Sequence, residues 1–319
     1  MTRHTERTCD PRILAFRTTS ALAVVAALAV TIAIAPAFAA GPHSDWAGHE
    51  AVSFHADFSE GVGAWKAAGN PWPVGRQFEL TDGAWTNTGR EGYLAWEGAA
   101  NVPVERGTVV VRLRSGEESI FTDGKPHCIL SLPRTTSGIF ADEERRKTAG
   151  LALSLRKTAA NTLDLIVHVG GDHWMRMSEP VVAISVDATD LSPDDWHELA
   201  VSWDWDSRAL WLIVNDEVHE APIPDALQEP WPYLAACFGN TENYLPNVQE
   251  PLAGFLDEIT ILSLPWPQAR EVMLAETPLT AERPALPEFG TEVTVFPDEA
   301  DLARLEWLAR NHLNMLVAT

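Results

Sequence analysis

Cations are scarce in this chain: Lys and Arg number 23 against 45 Asp and Glu, for a formal net charge of −22. A surface so biased repels nucleic acid and anionic lipid, and leaves neutral ligands, cations or basic partners. The same charge also serves plain solubility in an exported protein. Tyrosine is nearly missing, with three residues against thirteen Trp. Tryptophan buries a large area while keeping one N–H donor, which suits both cores and sugar platforms. Cysteine is rare as well, with three residues in all, and no pair has the Cys-x-x-Cys spacing of a metal or redox site. Cys128 and Cys237 sit inside the apolar runs HCILSL and YLAACFG. That setting reads as two buried free thiols, although an exported compartment also permits a disulfide.

Several chemistries are missing too. The chain contains no G-x-S-x-G, H-E-x-x-H or G-x-x-x-x-G-K-[ST] pattern. Its ten His are scattered, with no pair at ligand spacing on one strand. No helical period of useful length occurs before residue 267, which argues against a parallel α/β fold.

What is present begins with an export signal. Residues 1–17 are polar with net positive charge, Ala21–Ala35 form the apolar run ALAVVAALAVTIAIA, and Pro36 breaks it ahead of Ala37-Phe38-Ala39. This is the order of a secretory signal peptide cleaved near Ala39, and it places the mature chain in a secreted or periplasmic compartment with no membrane attachment after cleavage. The run is short for a spanning helix, which takes about 20 apolar residues, and an uncleaved N-terminal anchor is the other reading of it.

From Val52 onward the pattern is strand after strand. Val52–Phe58 alternates apolar and polar residues with period two, and GYLAW, GTVVVRL, HCILSL, GLALSLR, LDLIVHV, VVAISV, WHELAVSW, ALWLIV, YLAACF and FLDEITIL follow. Turn residues punctuate them: Asp82-Gly83, Asp123-Gly124, Gly170-Gly171, Ser192-Pro193-Asp194-Asp195 and Asn215-Asp216. Many short strands with regular turns predict an all-β antiparallel sandwich over residues 50–275. In WHELAVSW the face carrying His197, Leu199, Val201 and Trp203 is the more apolar, so it is the expected core side. His197 is then a satisfied core histidine, and Trp203 and Trp211 are core packers. Residues 276–297, with Pro278, Pro284 and Pro287, read as a Pro-rich linker. Residues 298–319 read as a helix followed by a short strand, a tail that either docks back on the sandwich or opens a further domain.

The middle of the chain resembles the laminin-G-like, concanavalin A-like jelly-roll family. The resemblance rests on Trp196-His197-Glu198-Leu199-Ala200-Val201-Ser202-Trp203-Asp204, on the hairpin Ala209–Asp216, on Gly254-Phe255-Leu256-Asp257-Glu258-Ile259-Thr260-Ile261, and on Gly107-Thr108-Val109. In the hairpin, Asp216 stands where that family usually has Gly. The likeness implies a jelly roll and, on its strand ends, a structural Ca²⁺ held by Asp57 and Asp257. It also brings in glycosidases that carry E-x-D-x-x-E or E-x-D-x-E on one strand, and that pattern occurs nowhere between residues 50 and 275. Asp257 and Glu258 are adjacent, so a regular strand would send them to opposite faces and rule them out as such a pair. The tail segment Leu305–Leu316 weakly resembles the entry to a (β/α)-barrel glycoside hydrolase, which implies an accessory module.

For ligands, the exposed aromatics expected near loops matter most. His173-Trp174 follows a Gly-Gly pair, Trp231 lies in the stiff loop Glu229-Pro230-Trp231-Pro232 with Tyr233 next to it, and Tyr244 lies farther on. An exposed ring stacks on the apolar face of a sugar, whereas a ring closing the end of the sandwich is the plain structural reading of each. These observations favour a non-catalytic module that binds carbohydrate or a glycoconjugate. A glycosidase or lyase on the same fold, and a spacer that binds protein, are the alternatives.

Overall fold

The structure is a computed structural model and describes residues 44–89, 92–115, 121, 123–134, 151–159, 161–168, 180–225, 227, 230, 233, 235–239, 252–280 and 282. The segments assigned above to the signal peptide and to the helix–strand tail lie outside the described residues, as do His173, Trp174, Trp231 and Tyr244.

Sixteen strands and one short helix are formed by the described residues: β1 (Val52–Asp57), β2 (Lys66–Ala67), β3 (Val74–Arg76), β4 (Phe78–Thr81), β5 (Ala84–Asn87), β6 (Tyr93–Glu97), β7 (Arg106–Arg114), β8 (His127–Arg134), β9 (Leu151–Ala159), β10 (Thr162–His168), β11 (Pro180–Asp187), β12 (His197–Asp204), β13 (Ala209–Val214), β14 (Glu217–Pro222), β15 (Ala235–Phe238), β16 (Phe255–Leu262) and α1 (Gln268–Met273). They build two antiparallel sheets. The nine-stranded sheet runs β14-β13-β12-β7-β16-β1-β2, with β5 also on β16 and β4 on β5. The seven-stranded sheet runs β11-β10-β9-β8-β15-β6-β3. This is an all-β antiparallel two-sheet sandwich, as the strand spacing predicts.

The inner faces follow the period of two. Leu199, Val201 and Trp203 of β12 meet Leu94 and Trp96 of β6, Leu163, Leu165 and Val167 of β10, and Phe238 of β15 in one core. Full burial of such a side chain stabilises the fold by about 1.5–3 kcal/mol. Trp203 is fully enclosed, donates its indole N–H to the Val104 carbonyl at 3.3 Å and stands edge-on to Tyr233 at 5.4 Å. His197 faces the same core, donates its Nε2–H to the Ser192 carbonyl at 2.7 Å and meets Phe121 edge-on. It is the satisfied core histidine that the alternation predicts. Cys128 and Cys237 are buried and form no disulfide.

Trp211 is buried, but on the other side of the nine-stranded sheet. There a second, smaller core joins Val110, Ala200, Trp211 and Ile213 to Trp46, Trp266 and the inner side of α1. The indole N–H of Trp211 reaches Glu220 at 3.1 Å. Both chain segments that flank the sandwich take part in this cover. Gly48 N–H donates to Thr277 O at 2.8 Å, and Thr277 N–H donates to Asp45 O at 2.6 Å. The start of the Pro-rich segment is thus bonded to the sandwich. In the β13–β14 hairpin Asn215 takes the left-handed conformation, φ 53°, while Asp216 does not, so Asp216 is tolerated without glycine's freedom.

Candidate functional site

The outer face of the seven-stranded sheet carries polar residues where alternation would put them in water, yet many are buried. Across β15, β8, β9 and β10 one row reads Cys237, Ser131, Ser154, Ile166. The next row reads Cys128 on β8, Arg156 on β9, Asp164 on β10 and Ser185 on β11. Cys237 packs there with Tyr93, Ala95 and Ala235. Arg156 and Asp164 are cross-strand partners.

Arg156 is 5% exposed and Asp164 6%. The Arg156 guanidinium bonds the Cys128 sulfur and reaches Ser154 Oγ at 3.5 Å. Burial lowers its pKa, and Cys128 works against that shift. Asp164 Oδ2 accepts from the Thr158 hydroxyl. Among the described residues, Arg156 Nε and Asp164 Oδ1 have no hydrogen-bond partner. A buried polar group left unmatched costs about 1–3 kcal/mol. Here a donor and an acceptor stand unmatched on neighbouring strands. A hydroxyl, which both donates and accepts, is the group that answers to both.

The aromatic candidates relate to this sheet through its strand ends. The segment with His173 and Trp174 runs between His168 and Pro180, which are register partners at the end of β10 and the start of β11. Arg134, the last residue of β8, pairs with Leu151 at that same end of the sheet. Trp231 precedes Ala235, the first residue of β15, which enters from that end too, whereas Tyr244 follows Phe238 at the other. Tyr233 is 3% exposed and lines a small apolar cavity with Leu153, Trp203 and Leu210. Its ring is a packing surface in the core, and a sugar platform has to be open.

The second polar cluster lies on the outer face of the nine-stranded sheet. The row Glu198, Arg112, Glu258, Asp57 crosses β12, β7, β16 and β1. A register shift between Leu256 and Glu258 breaks the alternation of β16, and Leu256, Ile259 and Ile261 all enter the core. Asp257 and Glu258 therefore share the outer face, contrary to the regular-strand expectation. A bulge sets two residues against one partner, and that partner is Arg112. Arg112 binds Asp257 at 2.8 Å, while Glu258 accepts from Ser44 at 2.5 Å and Thr260 at 3.1 Å, with His55 at 3.7 Å. Burial raises the pKa of both acids, with Arg112 opposing it for Asp257 and the hydroxyl bonds for Glu258. Glu198 is raised to about 7, again chiefly by burial. Glu258 is held under the N-terminal segment and Asp257 is neutralised, which describes a packed acid row beneath a cover.

A calcium ion needs several free oxygens around one point. Asp257 is committed to Arg112, and Asp57 Oδ1 accepts from Ser59 N at 2.9 Å and Ser59 Oγ at 2.5 Å. Among the described residues no group of three or more His, Cys, Asp or Glu is placed to hold a metal. An ion at Asp57 and Asp257 would have to displace Arg112.

No family model matches the chain, and no curated protein matches it. Among solved structures, the botulinum neurotoxin serotype D binding domain is similar at 12% identity, covering 73% of this chain and 52% of that one, with TM-score 0.47. The binding domain of botulinum neurotoxin DC in complex with SialylT shows 8% identity over 70% and 51%, TM-score 0.45. The Trypanosoma rangeli sialidase in complex with 2,3-difluorosialic acid shows 9% identity over 70% and 32%, TM-score 0.46. The chain spans about half the length of the toxin domains and about a third of the sialidase. At that level the fold is read from the strand order itself.

Proposed function

We propose that this protein is a non-catalytic, extracytoplasmic binding module for carbohydrate, and that its ligand face is the outer side of the seven-stranded sheet. The observation that carries the reading is the pair of unmatched polar atoms, Arg156 Nε and Asp164 Oδ1, on neighbouring strands of that face. Sugar hydroxyls are the abundant neutral groups that satisfy a donor and an acceptor together. A neutral ligand also suits a chain of net charge −22. Trp174 and Trp231, on segments leaving the same end of the sheet, are the proposed stacking rings. The test is a glycan array with the wild type, Arg156→Gln and Trp174→Ala. Binding to a neutral glycan that both substitutions weaken supports the reading. Wild-type protein that binds no neutral glycan at high concentration ends it.

A structural calcium on Asp57 and Asp257 is read by melting in EDTA against added Ca²⁺, and an unchanged Tm removes the ion. One observation favours a second reading, a hydrolase on the same fold: the bulge sets Asp257 and Glu258 on one face with raised pKa values. Polysaccharide hydrolysis lost in Glu258→Gln would establish it, and no hydrolysis by the wild type would dismiss it.

A further inference from the structure

The outer face of the nine-stranded sheet holds a guanidinium of a different kind. Arg114 ends β7, and its register neighbour on β16 is Phe255. On the other side β12 begins at His197, opposite Leu113, so Trp196 stands beside Arg114 there. The guanidinium carbon lies 5.0 Å from the Trp196 ring centre and 5.0 Å from that of Phe255. Arg112 lies 5.3 Å from the same indole. All four side chains are half-buried, so the group is fixed by packing and still reached by solvent.

Charge makes Arg114 unusual. The chain has nearly two acids for every Lys or Arg. Arg106, Arg112 and Arg270 each pair with an aspartate. Arg208 and Lys66 bond backbone carbonyls. Among the described residues Arg114 does neither, and its Nε is buried without a hydrogen-bond partner. Asp257, an acid that senses its charge, is already bonded to Arg112. Two aromatic rings hold the cation in place through ring–cation attraction, which leaves its N–H donors unspent. A planar fork with its flanks covered is approached along its edge, where two parallel N–H groups match an oxyanion.

We propose that Arg114, flanked by Trp196 and Phe255, is a binding site for the oxyanion of an acidic ligand, a carboxylate or sulfate carried by a saccharide. The site is separate from the face assigned to neutral sugar; the geometry argues the oxyanion, and the saccharide that carries it rests on the proposed function.

The test compares D-galacturonate and galactose 6-sulfate with D-galactose by titration calorimetry on the mature chain. The proteins are the wild type, Arg114→Gln and Arg106→Gln, the last removing an exposed cation elsewhere. A charge-assisted pair of this type is expected to favour an acidic sugar by about tenfold or more. That preference should vanish in R114Q and persist in R106Q. The carboxylate and sulfate arms tell which oxyanion is taken, and a preference for either supports the site. No preference for either acid, or one that survives R114Q, overturns it. Should R114Q lose its fold by circular dichroism, Arg114→Lys serves instead. It keeps the charge without the fork and should lose most of the preference, while full retention overturns the site. A chain that takes the acids and refuses every neutral glycan would uphold this inference and sink the previous one.

Discussion

At the scale of single residues, Glu198 and Gly239 show how tightly this sandwich is determined. Glu198 titrates near 7 because burial disfavours its charge; Arg270 and Arg112 favour that charge, Glu258 and Asp216 oppose it. The folded chain therefore keeps this proton to higher pH than the unfolded one. Stability from the neutral form is complete below about pH 4.5 and is lost as pH rises through 7. For a part-exposed group the loss is roughly 1–3 kcal/mol. Glu198→Gln, which cannot ionise, should melt above the wild type at pH 8, with the gap closing by pH 5. A gap independent of pH would refute the assignment. Gly239 has φ 79°, and a Cβ there would lie 2.2 Å from the Trp85 ring. Backbone and packing forbid a side chain together, so Gly239→Ala should cost at least about 1–3 kcal/mol in urea unfolding. A cost under half a kilocalorie would mean that Trp85 can give way.

At the scale of elements, α1 lies on the nine-stranded sheet, and Trp266 anchors it. Trp266 is 7% exposed, and its N–H donates to Ser202 Oγ at 2.8 Å. Trp266→Ala should destabilise by about 3–5 kcal/mol and bring dye binding at the uncovered face of Val110, Ala200 and Ile213. Unchanged urea midpoints would show that α1 is dispensable. The strands that line the cores were legible because burial of one face imposes period two, as in WHELAVSW and ALWLIV. The short strands β2 to β4 and the polar edge strand β14, EVHEAP, were not, because edges have no buried stripe to mark them. The bulge in β16 was illegible for a related reason. Nothing in FLDEITIL marks where pairing skips, and the skip alone puts Asp257 beside Glu258. The Arg156–Asp164 pair sat in strands that were read correctly. Charged residues in an alternating strand look like its wet half, so their burial came only with the structure. The rings of the predicted ligand set divide in the same way: Tyr233 is seen to pack in the core, and Trp174, Trp231 and Tyr244 lie outside the described residues.

At the scale of the whole molecule, the sandwich closes on itself through the two segments that enter and leave it. Ser44 bonds Glu258, Asp45 and Gly48 bond Thr277, and Trp46 sits in the same small core as Trp266 and α1. A Cβ on Gly48 would lie 2.3 Å from the Pro278 carbonyl, so the two segments touch backbone to backbone. The unit bounded by these contacts has its own large core and buries the outer face of one sheet with its own chain. A fragment of residues 44–282 should therefore fold alone, unfold in one cooperative step, and melt within a few degrees of the full chain. Starting the fragment at residue 52 instead removes Ser44, Trp46 and the Thr277 bonds together. It leaves the raised carboxyl of Glu258 open to water and the Trp266 core half uncovered, at a cost of several kcal/mol. Calorimetry of the two fragments decides the matter. If the shorter one matches the longer in Tm, the entering segment is a passenger, and the acid row beneath it would then be an open face instead of a covered seam.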